Sequence, residues 1–157
     1  MSTALFEGFI QHAYVTNDLD RGIAEFSRSY GLSKFLPTRS IPYGPECRLQ
    51  LALAYAGNVM VELIQPEGDI PLYQCMLPGD GFAIRFHHLG HFLRSEAQWE
   101  DILAAVRASG IPIAVQGESN GLKYLYVDAR ASIGHFLEYI YCSTPESSAM
   151  FDNVPHN

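Results

Sequence analysis

Residues 8–31, GFIQHAYVTNDLDRGIAEFSRSYG, predict a strand that leads directly into a helix. The opening letters are β-branched and aromatic, which is the composition of a strand. Asn17 or Asp18 can cap the helix that follows, apolar residues then recur at helical spacing, and Gly31 stands where a helix would end. Two more strand-like runs complete this half before Pro66, so it predicts a strand–helix–strands unit.

The second half repeats this order with different letters. Residues 83–93 predict a strand, Ser95-x-x-Gln98 predicts a capped helix, and Gly110 marks its end before three further strand candidates. One plan occurring twice indicates an internal duplication. A unit with one curved sheet cannot close a cavity alone, whereas two such sheets facing each other can.

The predicted organisation is a single domain over residues 1–157. Module 1 covers about 8–66, a linker rich in Pro, Gly and Asp covers 67–81, and module 2 covers about 82–142. Within module 1, residues between the helix and the next strand predict irregular or edge structure. The tail, 143–157, is expected to be mobile, although Met150 and Phe151 could dock on a partner.

Charge and cysteine content narrow the functional classes. A net charge of −7 without any run of Lys or Arg argues against nucleic-acid partners and anionic membranes. No apolar stretch approaches the roughly 18 residues that a membrane helix needs. Cys47, Cys75 and Cys142 are odd in number and far apart, which favours a reducing, cytoplasmic location and predicts small buried side chains.

Polar residues interrupt apolar strands at matching places in the two halves. They are Gln11, His12 and Glu62 in the first half, and His87, His88 and Glu138 in the second. A carboxylate in an apolar strand is costly unless it faces solvent, pairs with a cation or binds a metal. Solvent exposure is the commoner explanation for one such residue alone. The matched placement adds weight to a shared cation without outweighing solvent exposure by itself. This donor mixture suits Zn²⁺, Ni²⁺, Mn²⁺, Fe²⁺ or Co²⁺.

The chain resembles the vicinal oxygen chelate superfamily, which includes glyoxalase I, methylmalonyl-CoA epimerase, extradiol dioxygenases and bleomycin-resistance proteins. The resemblance is carried by QHAYVTNDLD at 11–20, GNVMVELIQP at 57–66, FHHLG at 86–90, YVDAR at 126–130 and GHFLEY at 134–139. It implies an α+β fold of two tandem βαβββ modules forming a curved mixed sheet around a metal-binding cleft. Within the superfamily, the similarity is to the glyoxalase-like subgroup.

The resemblance also implies a ligand set for one divalent metal ion. Glu62, His88 and Glu138 match the family's ligand positions directly. Gln11 matches the first position, and His12 replaces it if the register of that strand differs by one residue. Neighbouring strand residues face opposite sides, so only one of the two can be a ligand. A Gln/Glu/His/Glu set resembles that of zinc-dependent glyoxalase I.

The implied activity is that of a metal-dependent lyase or isomerase of the glyoxalase type. Glu138 and Glu62 are the candidate catalytic groups, acting on a small carbonyl-containing substrate through an enolate or enediolate. One alternative is a metal-free binding or resistance protein that sequesters an apolar ligand. Another is an iron-dependent extradiol-type dioxygenase, which requires His12 as the ligand. A homodimer is expected from the resemblance alone.

Other residues receive separate predictions. Alternation turns His87, His91 and His135 away from the site. Gln50 and Glu46 lie on or near the strand where the resembled epimerases keep a second catalytic carboxylate, but Gln50 cannot act as a base. Candidate pocket-lining residues are Tyr55, Met60, Phe92, Tyr124 and Phe136. Candidate anion anchors are Arg39, Arg48, Lys123 and Arg130, too few for a glutathione site, so an apolar or aromatic substrate is expected.

Overall fold

A computed structural model describes residues 4–157, and these form eight strands and five helices. The strands are β1 (Phe9–Thr16), β2 (Leu36–Pro42), β3 (Arg48–Ala56), β4 (Val59–Glu67), β5 (Ile84–Leu93), β6 (Ile113–Ser119), β7 (Leu122–Asp128) and β8 (Phe136–Cys142). The helices are α1 (Leu19–Tyr30), α2 (Pro71–Gln74), α3 (Glu96–Ser109), α4 (Arg130–Ile133) and α5 (Pro145–Ser148), with a 3₁₀ turn at Ala149–Phe151. None of the helices in this described part is long and apolar enough to cross a membrane.

The chain divides into two compact units. The first unit comprises Gln11–His87 together with Asn153–Asn157. The second unit comprises the residues up to Ile10 together with His88–Asp152. The divisions therefore fall inside β1 and β5, and most of β1 belongs to the first unit and most of β5 to the second.

Both units have the same sheet topology. The strand order is β2-β3-β4-β1 in the first unit and β5-β8-β7-β6 in the second. The β1–β4 and β5–β8 pairs are parallel, and the other neighbours within each unit are antiparallel. The sequence predicts irregular or edge structure after α1, and the structure has the edge strand β2 there. The register of β2 with β3 shifts between Thr38 and Ile41. The internal duplication is thus a duplication of topology.

The residues that cap the two long helices are the ones that the sequence predicts. The Asp18 carboxylate accepts a hydrogen bond from the Arg21 amide at 3.0 Å, and α1 ends at Gly31 with φ of 75°. The Ser95 hydroxyl accepts one from the Gln98 amide at 3.2 Å. Residues other than glycine rarely adopt a positive φ. A glycine at the end of α1 therefore allows the chain to turn back towards β2 without strain.

Each long helix covers one face of its own sheet. In the first unit the core contains Leu19 and Phe26 of α1, Ala52 of β3, and Val61 and Leu63 of β4. In the second unit the core is built from α3, β5, β7 and β8 side chains: Leu93, Trp99, Ile102, Leu103, Val106, Leu125, Val127, Leu137 and Tyr139. Strand neighbours of these residues must point to the opposite face, which the helix does not cover.

Two expectations from the sequence, about the tail and about the cysteines, are wrong. The tail is not a loose extension: it forms α5 and a 3₁₀ turn, and the side chain of Val154 is only 6% exposed. None of the three cysteines forms a disulfide and none is fully buried, and Cys75 is exposed. Cys75 directly follows α2, a single turn within the linker, so it has no sheet or long helix to bury it.

The hydroxyl of Tyr139 connects β8 to the start of the described chain. It donates a hydrogen bond to the carbonyl of Leu5 at 2.6 Å, and burial raises the pKa of this phenol. We expect Tyr139→Phe to lower the free energy of unfolding by about 1 kcal/mol, the usual worth of a buried hydrogen bond. Urea denaturation measures this, with Tyr141→Phe as the half-buried control. Equal stability of the two variants would contradict the prediction.

Candidate functional site

Glu62 lies on the face of the first unit's sheet that α1 does not cover. Its neighbours on β4, Val61 and Leu63, both pack into the α1 core, so alternation turns Glu62 the other way. The residue is nevertheless buried, with 8% of its surface exposed. This position rules out the commoner explanation for a strand carboxylate, which is free exposure to solvent.

Gln11 lies beside Glu62 on the adjacent parallel strand. In the β1–β4 register Gln11 is opposite Met60, and Glu62 is opposite Ala13. The Nε2 amide of Gln11 donates a short hydrogen bond to Oε2 of Glu62. Its other amide atom, Oε1, is buried and accepts no hydrogen bond from any residue between 4 and 157. Glu62 therefore holds the Gln11 amide in an orientation that leaves Oε1 able to accept a hydrogen bond or bind a cation.

His88 and Glu138 form the corresponding pair in the second unit. Leu137 and Tyr139 pack into the α3 core, so Glu138 between them faces the uncovered side, where it is 6% exposed. His88 is fully buried, and its Nε2 lies 3.0 Å from Oε2 of Glu138. This contact does not have hydrogen-bond geometry, since Oε2 of Glu138 accepts no hydrogen bond within the described chain.

The two pairs occupy equivalent places in the duplicated topology. His88 is opposite Phe136 and Glu138 is opposite Gly90, so the glutamate pairs two residues beyond the histidine. Glu62 likewise pairs two residues beyond Gln11. His12 does not share this offset. The equivalence favours Gln11 over His12 as the counterpart of His88. We call the face that carries each pair the site face of its unit.

The remaining histidines make other contacts. The ring of His12 packs edge-on against Phe86, with centroids 6.2 Å apart. His87 donates from Nε2 to the Leu72 carbonyl at 2.9 Å, and His135 donates from Nδ1 to its neighbour's carbonyl at 2.8 Å. His91 donates from Nδ1 to the Glu138 carbonyl at 3.0 Å, and burial lowers its pKa. Each of these rings therefore has a packing or backbone contact of its own.

The second carboxylate position of the resembled epimerases has no counterpart on the site face. Gln50 pairs with Gln65, and alternation from Leu49 and Leu51 places it on the α1 side of β3. There it accepts a hydrogen bond from Arg39 at 2.8 Å and donates to Glu67. Glu46 is an exposed loop residue.

Most candidate anion anchors already have acidic partners. Arg39 contacts Asp20 at 2.5 Å, and Lys123 contacts Glu96 at 2.5 Å. Arg130 contacts Asp128 at 2.7 Å, which holds the pKa of that carboxyl below its usual value. Arg48 donates to the Cys47 carbonyl at 3.0 Å. Three of the four candidate anchors therefore already pair with a carboxylate.

The site faces are otherwise apolar and aromatic. Strand register puts all five predicted lining residues there: Tyr55, Met60, Phe92, Tyr124 and Phe136. Tyr126, which the sequence interpretation left without a site role, is directly opposite Glu138 and meets the His88 ring edge-on at 5.2 Å. Counting alternate residues on β7 from Tyr124 could have identified it.

The donors have the chemistry of a divalent-metal site. Glu62, His88 and Glu138 are buried residues of metal-ligating types, and Gln11 adds an amide oxygen. Carboxylate, imidazole and amide donors together suit first-row divalent ions. Buried oxygens without hydrogen bonds, as at Gln11 and Glu138, are costly unless a cation or substrate group satisfies them. The residues present therefore fit the group that the resemblance implies.

The chain was compared with models of known protein families. The family model of the glyoxalase/bleomycin resistance protein/dioxygenase superfamily matches residues 10–126. The chain belongs to this superfamily. The resemblance drawn from the sequence motifs is thereby confirmed. No curated protein matches the chain.

Several solved structures are similar to this chain over most of its length. Methylmalonyl-CoA epimerase from Mycobacterium tuberculosis is 14% identical, with 95% of this chain and 96% of that chain covered and a TM-score of 0.65. A Streptomyces coelicolor methylmalonyl-CoA epimerase variant in complex with 2-nitronate-propionyl-CoA is 12% identical, with coverage of 88% and 99% and a TM-score of 0.62. A hypothetical protein from Bacillus halodurans is 15% identical, with coverage of 85% and 92% and a TM-score of 0.61. These likenesses confirm the predicted α+β fold of tandem βαβββ modules.

Proposed function

We propose that this protein is a metal-dependent lyase or isomerase of the glyoxalase type. Gln11, Glu62, His88 and Glu138 would bind one divalent ion, of Zn, Ni, Mn, Fe or Co. The substrate would be a small carbonyl compound with an acidic hydrogen on the adjacent carbon. Superfamily membership and epimerase-like solved structures support an enzyme of this general kind.

The observation that carries the proposal is the buried carboxylate of Glu138. Its Oε2 accepts no hydrogen bond within the described chain although it lies 3.0 Å from His88 Nε2. A folded protein keeps such an oxygen only when something else compensates its burial. The equivalent pair in the first unit has the same two-residue offset and its own bare oxygen, on Gln11.

The bound metal would act as a Lewis acid that stabilises negative charge on the substrate oxygen. Glu138 would accept the proton from the carbon beside the carbonyl. In an α-hydroxycarbonyl substrate, returning that proton to the former carbonyl carbon, with the hydroxyl proton passing to the other oxygen, would isomerise the substrate. A protonated Glu62 that donated its own proton to the opposite face of the original carbon, while Glu138 kept the first proton, would invert the configuration. The Gln11 amide holds the Glu62 carboxylate in one orientation. The apolar residues of the site faces would exclude water from the proton transfer.

The charge distribution favours a substrate without several anionic groups. The neighbouring S. coelicolor structure holds a propionyl-CoA derivative, and coenzyme A carries several phosphate charges. In this chain Arg39, Lys123 and Arg130 are occupied by Asp20, Glu96 and Asp128. We therefore propose an apolar or aromatic carbonyl substrate, and neither a CoA thioester nor a glutathione adduct.

Metal content and solvent-proton exchange test this function together. Protein purified without chelator should contain close to one equivalent of a first-row metal, and chelation followed by readdition should restore it. At a metal concentration of 100 times Kd, binding should stabilise the fold by about 2.7 kcal/mol, seen as a higher Tm. NMR in D₂O should detect metal-dependent exchange of the hydrogen beside the carbonyl in a panel of small apolar and aromatic hydroxyketones.

The same measurements separate the alternatives. Protein that takes up no metal and gains no Tm, yet binds apolar compounds, would be a binding or resistance protein. Selective recovery with Fe²⁺ and oxygen consumption with a catechol would indicate an extradiol-type dioxygenase. Either result would overturn the lyase or isomerase proposal.

We also propose a location and an oligomeric state. Three separated cysteines without a disulfide favour a reducing, cytoplasmic location. A homodimer rests on the family resemblance alone. Light scattering of the purified protein measures the oligomeric state, and a monomer at all concentrations would overturn it.

A further inference from the structure

His91 is a buried histidine on β5 that the proposed mechanism does not use. It is fully buried, and its ring stacks on Tyr139 of β8, with centroids 5.0 Å apart and planes at 26°. Tyr139 packs into the α3 core, so His91 lies on the side of the sheet away from the site face. The exposed rings of Phe6 and Phe9 meet it edge-on, with centroids 6.2 and 6.0 Å away. All of these residues belong to the second unit.

The hydrogen bond of His91 fixes which of its two nitrogens carries the proton. Nδ1 lies 3.0 Å from the backbone carbonyl oxygen of Glu138, which can only accept, so Nδ1 must donate. In the neutral ring Nε2 then has a lone pair and no hydrogen. Burial lowers the pKa of His91, which favours this neutral ring. The side chain therefore makes one directed hydrogen bond, and that bond goes to the backbone of a proposed catalytic residue.

The other nitrogen of the His91 ring has no hydrogen-bond partner among residues 4–157. Nε2 is buried there and accepts no hydrogen bond. A buried polar atom without a partner costs stability, and an apolar ring of similar shape would fill the same space without that cost. Stability alone therefore does not favour a histidine at this position. Because buried unsatisfied groups are rare in folded proteins, this one calls for a use of the ring elsewhere, and its Nδ1 bond is the only one it makes.

The two glutamates of the site faces are held in different ways. The carboxylate of Glu62 accepts a hydrogen bond from the Gln11 amide. Oε2 of Glu138 accepts none within the described chain, although it lies 3.0 Å from Nε2 of His88. The orientation of the Glu138 carboxylate therefore depends on the backbone that carries it. His91 binds that backbone from the opposite side of the sheet.

Building on the proposed function, we propose that His91 is a positioning residue for Glu138. Its Nδ1–H holds the Glu138 carbonyl and so restricts the backbone at the residue whose carboxylate would bind the metal and carry the proton. His91 does not touch the reacting atoms, and it acts only through Glu138. Loss of a residue that supports a metal ligand typically lowers metal affinity or activity by about 10- to 100-fold.

Two variants separate positioning from packing. His91→Phe keeps a ring in the cluster but removes the donor, whereas His91→Asn keeps a donor, Nδ2, the same number of bonds from Cα as Nδ1. Metal-free His91→Phe should unfold at or above the Tm of the parent, because no unpartnered nitrogen is left. Its kcat for metal-dependent proton exchange should fall about 10-fold with little change in KM. His91→Asn should recover most of the kcat. A lower Tm of His91→Phe with an unchanged kcat would assign His91 a structural role and overturn the proposal.

Tyr139→Phe is the matched control. This change removes a hydroxyl from the same cluster, together with its hydrogen bond to the Leu5 carbonyl at 2.6 Å, and it lies next to Glu138 in the chain. It should lower the free energy of unfolding and leave kcat unchanged. An equal loss of kcat in Tyr139→Phe and His91→Phe would mean that any disturbance of the cluster has this effect, which would overturn the specific role of His91.

NMR of the metal-free protein gives a readout that does not depend on activity. Three-bond couplings of the Glu138 side chain should show one dominant rotamer in the parent and in His91→Asn, and averaging between rotamers in His91→Phe. Identical couplings in the parent and His91→Phe would overturn the proposal whatever the metal result. If the parent takes up no metal, the proposed function is overturned, and the same couplings still decide whether His91 positions Glu138.

Discussion

Glu138→Gln is expected to lower metal-dependent proton exchange at least about 100-fold, the lower range for loss of a catalytic acid or base. The amide keeps the size of the carboxylate but can neither accept the proton nor offer a negative charge to the metal. The effect should be large because Glu138 has two proposed roles, as a ligand and as the proton carrier. NMR exchange rates and metal titration of the same preparation separate those roles.

The stability of the metal-free variant gives an independent check. Glu138 is buried, and its Oε2 accepts no hydrogen bond within the described chain. A buried carboxylate oxygen without a hydrogen bond is costly, so its replacement by a neutral amide should not lower stability. We therefore expect metal-free Glu138→Gln to unfold at or above the Tm of the metal-free parent, and to gain little from added metal. Glu118→Gln, at an exposed position on β6, is the control. Retention of full exchange activity in Glu138→Gln would exclude its proposed role.

Local sequence rules predicted the elements that local interactions define. Helix α1 begins at the cap residue Asp18 and ends at Gly31 because hydrogen bonds within a few residues decide both positions. The strands that carry Glu62 and Glu138 were recognisable because apolar residues on both sides of each glutamate left a strong strand pattern. The duplication followed from the repetition of that order.

Contacts between distant segments could not be predicted in this way. The tail was expected to be mobile because STPESS and NVPHN are polar, yet Asn157 binds backbone atoms of residues more than 100 positions earlier. No local pattern encodes such a partner. The exposure of Cys75 likewise depends on where the single turn of α2 lies and not on the preference of cysteine for buried positions.

Duplication gives a reason for choosing a glutamine as a proposed ligand. Each unit carries one such residue on its first strand and one glutamate on its last, with the same two-residue offset. In the second unit the first-strand residue is His88, a strong metal ligand. In the first unit it is Gln11, whose neutral oxygen binds metals more weakly. The geometry of the repeat, and not ligand strength, therefore selects the position.

Gln11→Ala is accordingly expected to weaken metal binding by about 100-fold, the upper end of the range seen when a metal site loses a supporting residue. The change removes a buried donor oxygen and also the amide that holds Glu62. His12→Ala should retain metal affinity and lose the ring contact with Phe86, which is worth about 1 kcal/mol of stability. Gln11→Glu, which keeps an oxygen in the same place, should recover most of the affinity. Metal loss in His12→Ala with retention in Gln11→Ala would move the ligand by one residue and redirect the chemistry towards an extradiol-type dioxygenase.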